Sequence, residues 1–450
     1  MSASDTLKRQ LGLPTATALI VGETIAVGIF LTPAGMAKSL GSPALVFVVW
    51  LVMGAMALCG ALCYGELAVR FPQAGGGYVY LREAYGAPLA FLYGWMALLV
   101  MDPGLTAALA VGLAGYVGYS FDLSPLGIKL VAVSSIIALA AVNIRGVRLG
   151  AWFVGWLTVL KLGALGCILV WGFAFRLGDW SNFTPFIARR AGSMPLAGAL
   201  AGGMVAAFFS FGGWWDVSKV AGEVRRPSYT LPRALAFGVI IVTLVYVATS
   251  AAFIYLVPLG RVASGETFAA QAGEVLFGKI GGQIFSAVVI VAVLGSLAGV
   301  IMSAPRVYFA MAHDGLFFRA VAAVHPRYGT PARAIALQAA LASMLVMLGT
   351  FNQIVSYFVF AVVIFLALTV AALFVLRHRD TTAPEYKTPG YPATPAAFLL
   401  LIVLLLILLA GGNPRQSLLG VAVVASGLPV YYLLFRRKFI AGNSHGEEKS

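Results

Sequence analysis

Apolar residues along this chain neither alternate nor recur only every third or fourth position. They run in long blocks separated by short polar segments. A helix needs about 20 residues to cross the hydrocarbon layer of a bilayer. Blocks of that order lie at about 14–39, 43–69, 84–116, 126–144, 150–175, 196–223, 234–257, 279–311, 333–350, 353–377, 393–411 and 416–435. In lipid a helix satisfies its own backbone hydrogen bonds, so the pattern predicts twelve membrane helices. The stretch 333–377 is too long for one crossing and is divided near Gly349–Gln353. The longest connections, near 176–195, 258–278, 312–332 and 378–392, are too short to be soluble domains. The segment 312–332, with His313, Phe317, Phe318 and Arg319, reads as a short amphipathic helix on the inner surface.

Composition supports the pattern. Of 450 residues 61% are hydrophobic and 10% charged, with a mean hydropathy of +0.94. Soluble proteins carry roughly 25% charged residues. This excludes disordered, fibrous and disulfide-scaffold classes and argues against a soluble enzyme. The net charge of +14 is not a nucleic-acid signature, because Lys and Arg sit in short loops between apolar blocks. With both termini cytoplasmic, 20 basic residues fall inside and 8 outside, as the positive-inside rule requires. Lys8 and Arg9 precede the first block without a clear cleavage site, so that block is expected to stay. Cys59, Cys63 and Cys167 all lie in apolar blocks and read as packing residues. No cofactor or metal cluster is expected, and the bilayer is the expected surroundings.

Five ionisable residues lie deep in apolar blocks, where each costs about 2.5–3.5 kcal/mol on insertion scales. Lys161 is the only charge between Ala151 and Phe175. Its ammonium can release its proton or stand where a cation would otherwise bind. Asp102 precedes Pro103 and Gly104, so its helix is expected to kink and free a carbonyl. It can pair with Lys161, take a proton or hold a substrate amine. Glu23, one turn before Gly28, can favour a cationic group or bind a proton, or lie shallow and face water. Asp216 and Lys219 are three apart and share a helix face, so they can pair with each other. Glu66 and Glu223 near the ends of their blocks read as gating or structural ion pairs.

Two blocks carry glycine-rich interruptions. The first reads Gly22-Glu23-Thr24-Ile25-Ala26-Val27-Gly28-Ile29-Phe30-Leu31-Thr32-Pro33, and the sixth Phe208-Phe209-Ser210-Phe211-Gly212-Gly213-Trp214-Trp215-Asp216. They occupy corresponding places in two five-span halves, which points to a transporter's midplane site. Unwound amides and a half-helix N-terminus suit a carboxylate, and freed carbonyls suit an ammonium. Together they describe a zwitterionic amino acid.

These residues resemble the amino acid–polyamine–organocation superfamily, and within it the L-type amino acid transporter branch. Gly28-Ile29-Phe30-Leu31-Thr32-Pro33 matches the family's GIF-x-x-P segment. Tyr64-Gly65-Glu66-Leu67 and the run from Phe71 to Gly86 match its signature between spans 2 and 3. Phe209-Ser210-Phe211-Gly212-Gly213-Trp214, followed by Glu223 and Pro227, resembles its span 6 pattern, and Ser303, Arg306 and Asp314-Gly315 fit the end of span 8. The resemblance implies an all-α membrane protein of the LeuT type, with twelve transmembrane helices, a 5+5 inverted repeat and discontinuous helices 1 and 6. The implied organisation is a cytoplasmic N-terminus at 1–13, repeats at 14–175 and 196–377, helices 11–12 at 393–435 and a cytoplasmic tail at 436–450.

By the same resemblance the substrate carboxylate sits near Val27 and Gly28, beside Ala26. The amino group meets carbonyls near Thr24, Ile25, Phe209 and Ser210, with Gly212 in the unwound turn. Phe209 would be the gate, Trp214 a wall of the side-chain pocket, and Lys161 a replacement for sodium. Glu23, Asp102 and Asp216 are not typical of the family, and Ala26-Val27-Gly28 replaces its usual Gly-Ser-Gly. The loop from Tyr116 to Pro125 lacks the cysteine that animal members use to bond a partner, so no disulfide-linked subunit is expected. The reading is a sodium-independent amino-acid transporter of the bacterial inner membrane, an exchanger or a proton-coupled symporter. A polyamine or amine carrier, or a non-transporting receptor, are the alternatives.

Overall fold

The computed structural model describes residues 11–436, apart from 27, 74, 146–147, 190–192, 259–267, 319, 322, 324, 326–327, 329, 380–383 and 413. Among the described residues every named element is helical, and the β contact is an isolated parallel bridge between Leu11 and Val224. The first apolar block is cut into α1 (Leu13–Thr24) and α2 (Gly28–Leu40). Then follow α3 (Pro43–Arg70), the short α4 (Gly77–Tyr85), α5 (Ala87–Met96), a π-helical turn (Ala97–Met101), α6 (Asp102–Phe121), α7 (Pro125–Arg145) and α8 (Arg148–Ala174). The second half holds α9 (Leu196–Phe211), a 3-10 turn (Asp216–Glu223), α10 (Pro227–Leu256), α11 (Phe268–Ser303), α12 (Pro305–His313), α13 (Ala332–Leu348) and α14 (Phe351–Arg379). It ends in α15 (Ala393–Gly412), α16 (Pro414–Ala425) and α17 (Gly427–Val430).

Nine helices among the described residues are long and apolar enough to cross a membrane, and Val159–Ala174 and Ala332–Leu348 are shorter apolar helices. The boundaries follow local chemistry. Ser42 caps α3 by accepting the Leu45 N–H, with Pro43 in the first turn. Gly86, at φ +86°, separates α4 from α5, so the third block starts at Ala87. The long apolar stretch does divide, with α13 ending at Leu348 and α14 starting at Phe351. The amphipathic helix expected over 312–332 does not form among the described residues. The helical turns lie earlier, in α12, and turns follow Asp314. Gly315, at φ +75°, suits a chain leaving a helix.

α3 packs against α10, α1 against α10, and α2 against α9. α6 is central, touching α7, α11, α13 and α14, while α8 lies on α10 and α11. α15 and α16 lean on α14 from outside. Large apolar side chains stand exposed on the periphery, including Ile137, Leu244, Leu400 and Ile407. So wide an apolar exterior is stable only against lipid.

Buried polar groups hold the ends of these helices. Glu66, fully buried at the end of α3, accepts from Arg377 Nε at 2.9 Å and Arg70 Nε at 3.3 Å. It also accepts the Thr388 N–H at 2.7 Å and hydroxyl at 2.9 Å. The carboxylate thus ties α3, α14 and the loop before α15 together, and its position is that of a structural ion pair. Glu223's side chain lies outside what the structure describes.

Candidate functional site

The site starts where α1 stops. Ile25 leaves the helix at φ −75°, ψ 68°, and its N–H still bonds the Val21 carbonyl at 2.9 Å. Ala26 N–H turns back to the Thr24 carbonyl at 2.8 Å. The Gly22 carbonyl then receives Lys161 Nζ from α8 at 2.5 Å. Lys161 is 3% exposed. A cation here complements the negative end of α1's dipole. Lys161 and Asp102 do not pair.

α9 breaks opposite. It ends at Phe211, and Gly212 (φ −54°, ψ 140°) and Gly213 (φ +109°) turn the chain into the 3-10 segment. Gly213 is required twice over: its φ is left-handed, and a Cβ there would stand 3.3 Å from the Glu23 backbone. Asp216 and Lys219 form the expected ion pair at 2.7 Å.

The two breaks are fastened to each other. A Cβ on Gly28 would fall 2.5 Å from the Ser210 Cα, so α2 and α9 meet at backbone distance. Thr32 Oγ1 donates to the Gly28 carbonyl at 2.9 Å and lies 2.7 Å from Ser210 Oγ. The Tyr246 hydroxyl, on α10, reaches the carbonyls of both Thr24 (2.7 Å) and Ser210 (2.6 Å). It is fully buried, with its ring 4.9 Å from Trp50 and 5.2 Å from Phe211. Its single proton serves two carbonyls that the breaks leave free of helix bonds.

Between the breaks lies a cavity of about 190 Å³. Nine of the thirteen site residues expected from sequence line it: Glu23, Thr24, Ala26, Gly28, Lys161, Phe209, Ser210, Gly212 and Asp216. Its far wall is a small-residue face of α11, Ala292, Gly295, Ser296 and Gly299. A second cavity of about 40 Å³ adjoins it across Phe209 and Asp216, lined also by Asp102, Trp215, Lys219 and Phe358. Phe209 stands between the two, its ring 6.0 Å from Phe358.

The other four site residues are placed differently. Asp102 lines only the smaller cavity. Ile25 is fully buried in the core. Val27 lies outside the described residues. Trp214 turns away from both cavities against Tyr64, 5.1 Å between rings, and Trp215 lines the smaller one. Asp102 begins α6 directly after the π-helical turn, its N–H bonded to the Ala97 carbonyl. The irregularity thus precedes Asp102 and Pro103, as an extra residue in the turn. Tyr308 of α12 donates its hydroxyl to the Asp102 carboxylate. The Asp102 carbonyl accepts from Thr106 at 2.7 Å, and Gln338 donates to that hydroxyl at 3.0 Å.

Sequence reasoning missed Tyr246, Tyr308 and the α11 face. The first two are single tyrosines in apolar blocks and carry no signal. The α11 face had one: Ala292, Gly295, Ser296 and Gly299 recur at helical spacing. Among the described residues no group of three His, Cys, Asp or Glu side chains could hold a metal ion.

Two helices broken at facing points around an interior cavity, in a bundle with a lipid-facing exterior, define a membrane carrier. Residues 11–435 match the amino acid permease family, and the chain belongs to that family. It is 30% identical over 440 residues to the serine/threonine exchanger of Bacillus subtilis (strain 168), covering 96% of this chain and 98% of that protein. It is also 30% identical over 444 residues to large neutral amino acids transporter small subunit 2 of Homo sapiens, covering 95% and 80%. To the human cystine/glutamate transporter it is 28% identical over 439 residues, covering 95% and 85%. The protein is thus a multi-pass membrane transporter of amino acids resembling the L-type branch, and not an enzyme.

Proposed function

We propose that the protein is a sodium-independent amino-acid transporter, an exchanger or a proton-coupled symporter, working by alternating access. The observation that carries the reading is the Lys161 ammonium on the Gly22 carbonyl, 2.5 Å away beside the cavity. A fixed cation at the end of α1 fills the place a bound metal cation would take. The substrate would lie between the breaks, its carboxylate toward the N-terminus of α2 and its ammonium toward the end of α1. The name of the Bacillus relative favours exchange.

The proposed architecture is twelve spans with two inverted five-helix repeats, 14–175 and 196–377, then 393–435 as helices 11–12. The packing supports it. Under exchange of α1–α2 with α9 and its 3-10 turn, α3 with α10, α6 with α11, α7 with α13 and α8 with α14, contacts map onto contacts. α1 on α10 mirrors α9 on α3, α2 on α10 mirrors the 3-10 turn on α3, and α8 on α10 mirrors α14 on α3. We place the protein in the plasma membrane, with residues 1–13 and 436–450 cytoplasmic, and without a disulfide-linked subunit. Its cysteines are Cys59, Cys63 and Cys167, all within α3 and α8.

Proteoliposomes preloaded with an unlabelled amino-acid mixture test this. Labelled amino acids should enter equally with external sodium or choline. Uptake that needs a sodium gradient sinks the reading.

A further inference from the structure

We infer that the preferred substrate is a cationic α-amino acid, one with a second ammonium group, and that Glu23 is the residue that selects it. This rests on the transport reading above.

The argument is one of charge. Five ionisable side chains line the two adjoining cavities: Glu23, Asp102, Asp216, Lys161 and Lys219. Asp216 and Lys219 neutralise each other at 2.7 Å. Asp102 is buried and satisfied by the Tyr308 hydroxyl. Lys161 gives its ammonium to a backbone carbonyl. Glu23 makes no hydrogen bond or ion pair among the described residues, and its charged neighbours are Asp216, Lys219 and Lys161. Its side chain faces into the larger cavity.

Three acids against two bases leave the site one positive charge short. A zwitterion adds no net charge and would close the site with that deficit unmet, which is costly in a low-dielectric interior. A diamino acid supplies the missing cation. Two of the carbonyls available to an ammonium, those of Thr24 and Ser210, already receive the Tyr246 hydroxyl. That strengthens the case for a carboxylate as acceptor. The α-carboxyl group is still wanted, because α2 presents its N-terminus at Gly28 on the cavity wall. A simple diamine lacks it.

The experiment compares labelled lysine, serine, leucine and putrescine in proteoliposomes of the full chain, with Glu23→Gln and Glu23→Asp beside the wild type. Wild type should prefer lysine to serine and leucine. Glu23→Gln should raise the KM for lysine about tenfold or more, the loss of one charged hydrogen bond, and shift preference toward the neutral amino acids. Glu23→Asp should keep the lysine preference. Thermal-shift binding of lysine to the wild type in detergent gives a second readout should the glutamine variant fail to fold. Wild type that prefers serine or leucine and is indifferent to Glu23→Gln overturns the inference while leaving amino-acid transport standing. So does a neutral amino acid moved with a proton whose pH dependence vanishes in Glu23→Gln. Putrescine moved as well as lysine overturns the carboxylate half. No binding or flux of any of the four overturns the transport reading and this inference together.

Discussion

Tyr246 shows how much one hydroxyl can hold. It reaches the open ends of two broken helices at 2.7 and 2.6 Å, in a fully buried position. Tyr246→Phe leaves both carbonyls without that donor. It should cost about 1–3 kcal/mol, seen as a lower midpoint of thermal unfolding in detergent, and an unchanged midpoint would remove the clasp. Gly28 is the converse case, where absence of a side chain lets α2 meet Ser210 at backbone distance. Gly28→Ala must push the helices apart, at about 1–3 kcal/mol for overpacking. Its transport activity should fall more than that of Gly163→Ala, where a Cβ meets nothing within 4 Å. Lys161→Ala removes the ammonium from the Gly22 carbonyl, and transport should drop about tenfold or more. Transport that persists with unaltered pH dependence would show that this lysine only packs. Glu23 and Lys161 stood out in the sequence because a charge in an apolar block needs a partner or a task. Tyr246 and Tyr308 did not, since a buried tyrosine is ordinary and only geometry tells which carbonyl or carboxylate it meets.

At the scale of the element, the chain announces where helices break more clearly than how. Gly212 and Gly213 mark the second break in any reading, and Gly213 does adopt φ +109°. The π-helical turn at Ala97–Met101 has no such mark. Four of its five residues, all but Val100, are good helix formers, and no glycine or proline falls within it. The absence of the amphipathic helix expected over 312–332, among the described residues, has a similar cause. Apolar residues with a few charges suited it, but Pro305 starts the helix earlier and Gly315 lies just past its end. The Glu66 cluster fixes three elements at once, and Arg377 also stacks over the Tyr391 ring at 3.8 Å. Arg377→Ala strips the main counter-ion from a fully buried carboxylate and should destabilise by about 3–5 kcal/mol. The double variant Glu66→Gln, Arg377→Ala should recover part of that loss in a thermal-unfolding cycle. Additive effects would mean the pair is not coupled.

Over the whole molecule, the cysteines bear on assembly. Cys59, Cys63 and Cys167 sit in helices without a disulfide. Gel mobility should be the same with and without reductant, and a reductant-sensitive larger species would contradict a chain that works without a bonded subunit. The sequence by itself determined the membrane class, the order and approximate ends of the helices, and the two breaks. Each follows from a local rule: lipid demands long apolar runs, and glycine and proline interrupt them wherever they fall. Tertiary structure alone decided which broken end meets which. It turned Trp214 into the core and Trp215 toward a cavity, gave Lys161 to Gly22, and gave Asp102 to Tyr308. Those pairings join residues more than a hundred positions apart, and no local pattern carries them. They depend on how twisted, packed helices bring distant side chains to one depth, and that geometry leaves Glu23 facing the cavity.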